Sequence, residues 1–142
     1  FHKYQGVELY MKRMQIASLR TGSVKTFLGR RRFLPNVRSA DRGQVNYAIR
    51  QIKNTPIQGG AGDLVKASMA HCDASRELRS LKCELLLQVH DELVFECPEE
   101  NAERADKLTT HLMENVPIMK QMPIPFKVEG GVGRNWYEAK GE

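Results

Sequence analysis

Leu85 to Glu96 constrains this chain more than any other stretch, because two runs rich in Leu, Val and Phe flank the polar triplet His90-Asp91-Glu92. Such runs read as strands, and a triplet this short between them can only be a tight turn or a bend in a ladder. With His90 and Asp91 as the two turn residues, Val89 faces Glu92 and the stretch closes into an antiparallel hairpin. Charge inside an apolar run is costly when buried and unpaired, so the tip must face water or hold a cation. The spacing therefore leaves Asp91 two readings, a turn former or a ligand of a divalent ion.

The same register puts Cys83 and Cys97 on opposite faces of the hairpin, which argues against a disulfide between them. Cys72, Cys83 and Cys97 fit no CxxC pattern, and the reading is of three reduced, mostly buried thiols. At 142 residues the chain can form one domain with a modest core, and 41 % hydrophobic and 27 % charged residues are ordinary values for a globular protein. No apolar run approaches the roughly 20 residues that span a bilayer, and no membrane partner is expected. The chain begins with Phe1 and not Met, as a processed product, a fragment or one chain of a split protein would.

Charge is divided unevenly. Residues 1–53 carry twelve Lys or Arg against Glu8 and Asp41, a net of +10, whereas residues 54–142 carry ten against fifteen acids, a net of −5. A basic half attracts a polyanion and an acidic half can hold divalent cations, which together suit phosphate chemistry on a nucleic acid. Solvated charge on helix faces is the competing reading.

Taken in order, Val7, Tyr10, Met11, Met14 and Ala17 recur at helical spacing, and Gly22 can end that helix. Val24 to Phe27 and Phe33 to Pro35 read as short strands around a tip carrying Arg30, Arg31 and Arg32, whose guanidinium forks match phosphate oxygens. Asp41 can cap a helix with Val45, Ala48, Ile49 and Ile52 on its apolar face. That helix should stop near Asn54-Thr55, since the residue before Pro56 is pushed away from the α region. A further helix is expected from about Pro56 toward Leu78, with Leu64, Val65, Met69 and Cys72 facing the core. Gln58-Gly59-Gly60-Ala61-Gly62 lacks the Lys-Ser/Thr of a phosphate-binding P-loop, so its glycines point to close approach of another backbone or a ligand. After the central hairpin, Pro98-Glu99-Glu100 starts a helix with Ala105, Leu108, Leu112 and Val116 as its stripe. Ile124 to Glu129 reads as a last strand, Gly130 to Gly133 as a flexible turn, and Trp136 with Tyr137 as an aromatic anchor. Asn54 and Gln58 carry amides that can reach base edges or serve as caps and turn residues.

In combination and order these features resemble the family A DNA polymerases, the bacterial DNA polymerase I type. Gln88-Val89-His90-Asp91-Glu92-Leu93 is similar to the third polymerase motif of that family. Asn54-Thr55-Pro56-Ile57-Gln58-Gly59 with Ala61 and Asp63 looks like its helix before the hairpin, Leu28 to Pro35 like its arginine-rich hairpin, and Val132-Gly133-Arg134-Asn135-Trp136 like its C-terminus. The resemblance runs in register over nearly the whole chain. It implies an α+β fold: an antiparallel palm sheet with a central catalytic hairpin, backed by helices, plus part of the helical fingers. Residues 1–45 would belong to the fingers subdomain and 46–142 to the palm.

What the resemblance implies for the site is specific. Asp91 would be one of two aspartates binding two catalytic Mg2+ ions, with the adjacent Glu92 in a lesser catalytic role. His90, Gln58, Asn54 and Arg50 would contact primer-template DNA, and Arg30, Arg31 and Arg32 would add phosphate contacts. Gly60 and Gly62 stand where the family usually has Thr and Ala, which implies a looser helix start. The second metal-binding Asp and the fingers helix that grips the deoxynucleoside triphosphate have no counterpart here. The expectation is a C-terminal fragment or split subunit of a DNA-templated polymerase, serving replication or repair and active only with an N-terminal segment or chain. A non-catalytic nucleic-acid-binding module derived from such a polymerase is the alternative. The setting implied is cytoplasmic, in a bacterium or a virus of one, with an organelle as the other option.

Overall fold

The computed structural model describes residues 3–141 and divides the chain into two units, residues 1–63 and 64–142. The α+β class expected from the sequence is what is found: among the described residues, helices with two small antiparallel sheets, each a two-stranded hairpin.

In the first unit, α1 spans Gln5–Thr21 and ends where Gly22 takes a φ of +65° and donates its N–H to the Ser18 carbonyl. Glycine reaches that left-handed conformation without the penalty a Cβ would bring. The helix faces its core with Met14, Ser18 and Leu19, and not with the Val7-Tyr10-Ala17 side of the expected stripe, which is exposed. Apolar residues such as Leu9 and Ile16 lie all round this helix, so periodicity alone could not fix its rotation. Strands β1 (Ser23–Lys25) and β2 (Arg31–Phe33) pair antiparallel, Val24 opposite Arg32. The turn is therefore Thr26 to Arg30, and Arg31 and Arg32 lie on the strand, not at the tip; Thr26 closes the loop by bonding to the Arg30 carbonyl.

Helix α2 (Arg42–Asn54) starts as the sequence indicates, with the Asp41 carboxylate accepting the Gly43 N–H at 2.7 Å. Ala48 and Ile52 join Val24, Leu34 and Val37 in a buried cluster. The α-helix ends at Asn54, where the sequence indicates, but not because the residue before Pro56 leaves the α region. Thr55 stays in the right-handed α region (φ −59°, ψ −41°), and Thr55–Gly59 form a wide π turn leading into α3 (Gly60–Asp73). A π turn shifts the hydrogen-bond register, and that is how a helical path absorbs a residue with no N–H to give.

In the second unit α3 ends at Asp73, short of Leu78, and Ser75 caps a separate short helix, α4 (Arg76–Ser80), by accepting the Leu78 N–H. Strands β3 (Glu84–Val89) and β4 (Glu92–Glu96) form the central hairpin, with Val89 opposite Glu92 as expected. Leu86 is an extra residue in the ladder, so that Leu85 faces Phe95 and Leu87 faces Val94. This bulge corrects the cysteine reading. It restores Glu84 opposite Glu96, which brings Cys83 and Cys97 together instead of placing them on opposite faces. All three cysteines are free. Burial first, then for Cys83 its sulfur neighbours Cys97 and Cys72, pushes the thiols of Cys72 and Cys83 up to about 11.

Helix α5 (Ala102–Glu114) packs Ala105, Leu108 and Leu112 on the cluster of Cys72, Leu78, Leu81 and Cys83. Ile124 to Glu129 forms no strand; the Val128 N–H goes to the Glu114 carboxylate, and Pro123 and Pro125 cannot donate to a ladder. The short helix α6 (Trp136–Ala139) is closed by a capping box, Asn135 Oδ1 accepting from Glu138 N while the Glu138 carboxylate receives Asn135 Nδ2 and Arg134 N. Trp136 and Tyr137 are exposed and do not anchor a core.

Candidate polymerase site residues

The central hairpin presents its polar triplet as the alternation of strand and turn requires. His90 and Asp91 are exposed turn residues and Glu92, the first residue of β4, is half-buried. His90 sits at φ +53°, the left-handed region that two-residue hairpin turns use at their first central position. Glycine or asparagine usually fills such a place, so a histidine there holds conformational strain next to a carboxylate. Gln88 Nε2 donates to the His90 carbonyl and steadies the turn.

Glu92 is held from another part of the second unit. Lys140 Nζ lies 3.1 Å from its Oε1 and also 5.5 Å from the centre of the Trp136 ring. The two side chains are about two-fifths exposed, 42 % and 43 %, so solvent screens this pair. Asp91, by contrast, projects at the exposed tip. Its carboxylate is the hard oxygen donor that magnesium prefers, and magnesium commonly binds through one or two carboxylates with waters and substrate phosphates completing the shell. The donor chemistry fits that ion, with Asp91 as one carboxylate; among the described residues no group of three or more His, Cys, Asp or Glu gathers as a metal site.

The remaining candidates lie in the first unit. Arg50 and Asn54 are exposed on α2, with the Arg50 guanidinium 5.9 Å from the centre of the Tyr47 ring, and Gln58 is exposed in the wide turn. The helical path places Arg50, Asn54 and Gln58 at four-residue intervals, which keeps them near one face. The three arginines separate. Arg30 is bonded to Asp63 (Nε to Oδ1, 2.5 Å) and to the Gly59 carbonyl (3.1 Å), while Arg31 and Arg32 are exposed on β2. The sequence reading did not find Asp63 as Arg30's partner, Lys140 as Glu92's, or the Asn135–Glu138 capping box. Only the last had a local signal, an Asn followed three residues later by Glu.

Residues 1–138 match the model of DNA polymerase family A. DNA polymerase I of Bacillus caldotenax is 39 % identical over 140 residues, and the thermostable DNA polymerase I of Thermus filiformis 41 % over 140. Each alignment covers 99 % of this chain and 16 % of the relative, so the chain spans about one sixth of the length of these proteins. Among solved structures, the POL domain of Pol1 from M. smegmatis, in complex with DNA primer-template and dNTP, superposes with a TM-score of 0.89 at 35 % identity, covering 99 % of this chain and 24 % of that one. Among the described residues no helix is long and apolar enough to cross a membrane. On the family match and this identity, the chain belongs to DNA polymerase family A.

Proposed function

We propose that the chain supplies the C-terminal part of the fingers (residues 1–45) and palm (46–142) of a DNA-templated DNA polymerase, and that it works with a segment carrying the second metal-binding Asp and the nucleotide-gripping helix. The observation that carries this reading is the exposed Asp91 at the tip of a hairpin whose turn is held in a strained form. A rigid two-stranded element is what a reacting phosphate centre requires of its ligand. Membership of the family supports it, as does the likeness to a structure in complex with primer-template and dNTP.

The reaction is nucleotidyl transfer: the primer 3′-oxygen bonds to the α-phosphorus, the bond to the bridging oxygen breaks, and pyrophosphate leaves. Two Mg2+ ions, when bound, would stabilise charge on the attacking and leaving oxygens. Asp91 would hold metal, and Glu92, oriented by Lys140, would flank it. His90, Gln58, Asn54 and Arg50 would position the primer-template, and Arg31 and Arg32 would supply phosphate contacts. The setting proposed is the cytoplasm of a bacterium, in DNA replication or repair.

Primer extension with Mg2+ tests this, using the chain mixed with an N-terminal family A segment that lacks this region. The mixture should extend a primer, and Asp91→Ala should reduce the rate by on the order of 10³-fold. Equal extension by the two would remove Asp91 from the site; no extension by either would leave a DNA-binding module in place of an enzyme part.

A further inference from the structure

The three consecutive arginines are equivalent in sequence and unlike in structure. Arg31 and Arg32 are exposed on β2, and among the described residues their side chains form no hydrogen bond or ion pair. Arg30 turns the other way. Its Nε meets the Asp63 carboxylate at 2.5 Å and its second terminal nitrogen reaches the Gly59 carbonyl at 3.1 Å. Asp63 is largely buried, with 10 % of its side chain exposed, whereas the arginine is half in water. The backbone beside Arg30 is fixed as well, its N–H bonding to the Thr26 hydroxyl at 3.1 Å.

A second contact locks the same two segments. A Cβ added to Gly60 would lie 1.9 Å from the Phe27 ring, and one added to Gly59 would lie 3.0 Å from the Thr26 methyl. Phe27 therefore occupies the space that a side chain at position 60 would fill.

We infer that Arg30 is a positioning residue: with Phe27 against Gly60, its bonds to Asp63 and Gly59 fasten the basic hairpin to the wide turn that carries Gln58, leaving Arg31 and Arg32 as the hairpin's cations for a polyanion. The fastening stands on the first unit alone. Only the assignment of Arg31 and Arg32 rests on the proposed function.

The test joins amide hydrogen exchange to DNA binding on the chain itself. Exchange is read at Thr26 and Gly29, whose N–H groups bond to the Arg30 and Thr26 carbonyls. Arg30→Gln and Asp63→Asn should each speed it about tenfold, and the double variant should be no faster than either, as two ends of one interaction require. Arg30→Lys, which keeps the charge and loses the fork, should recover less than half of the protection. Gly60→Ala should speed exchange without changing any charge. In primed-DNA binding, the slope of log K against log salt should be unchanged in Arg30→Gln and smaller by about one in Arg31→Gln and in Arg32→Gln. A slope lowered by about one in Arg30→Gln with unchanged exchange would make Arg30 a phosphate contact and overturn the inference. Unchanged exchange in Asp63→Asn would overturn it too. If the wild-type chain binds no DNA at low salt, the polyanion assignment of Arg31 and Arg32 falls with the proposed function, and the exchange results still decide Arg30's role.

Discussion

The two hairpins of this chain share a topology and both rest on buried clusters at their bases, but only one has its loop fastened as well. The basic one, β1 with β2, has three residue pairs, and the strand bearing its arginines is exposed throughout. So short a ladder carries little stability of its own. Val24 and Leu34 bury its base against Ala48 and Ile52, and its loop is fastened as well, with Phe27 filling the space over Gly60 and Arg30 reaching Asp63 and Gly59. The acidic one, β3 with β4, has five pairs and a bulge, and is held at its base, where Phe95, Cys83 and Cys97 meet the cluster of Cys72, Leu78 and Leu81. Its tip is left to water, to the strained His90 and to one screened ion pair. A hairpin fastened at base and loop can offer a strand face to a partner, and one fastened at its base alone can offer a tip.

The largest effects should come from the anchors' foundations. Ile52 is fully buried beneath the basic hairpin's cluster, and Ile52→Ala should cost about 3 kcal/mol in chemical denaturation. It should deprotect the amides of β1 while leaving those of β3 and β4 at their original rates. Loss of protection in both hairpins at once would mean that they unfold as one unit.

Next in size is a pH effect confined to the base of the acidic hairpin. Folded Cys72 and Cys83 hold their protons to about 11, against an ordinary 9.0. Between these values the unfolded chain releases protons that the folded chain retains, so stability falls as pH rises from about 9 through about 11 and is whole below that window. Urea midpoints in Cys72→Ala/Cys83→Ala should lose this alkaline slope, and a slope that persists would place its origin elsewhere.

Smaller changes belong to the tip. His90→Gly removes a non-glycine residue from φ +53° and should stabilise the chain by about 0.5–1 kcal/mol. Thermal unfolding at neutral pH reads it, and destabilisation would mean that the histidine side chain is itself a structural contact. Smallest of all, Lys140→Ala should cost under about 1 kcal/mol, because the pair with Glu92 is two-fifths exposed.

The sequence made some of this legible, and the reason differs by element. Asp41 as a cap, Gly22 as a helix end and the His90-Asp91 turn are local chemistry, and each stands where its neighbours alone require. The Leu86 bulge is not local. A run of three leucines offers more than one register, and the pairing of Cys83 with Cys97 turns on whether one of them is extra. Pro56 misled for a related reason, since a wide turn can absorb a proline at no cost that the sequence displays. The candidate residues are readable as types, while the separation of Arg30 from Arg31 and Arg32 depends on Asp63, thirty-three positions away.

The most direct test sets one variant from each hairpin side by side, Asp91→Ala and Arg30→Gln, in complemented primer extension and in amide exchange. Asp91→Ala should slow extension by on the order of 10³-fold and leave the exchange of both hairpins untouched, whereas Arg30→Gln should speed exchange at Thr26 and Gly29 and slow extension far less. Full extension by Asp91→Ala would contradict this account, as would abolished extension in Arg30→Gln with unchanged exchange.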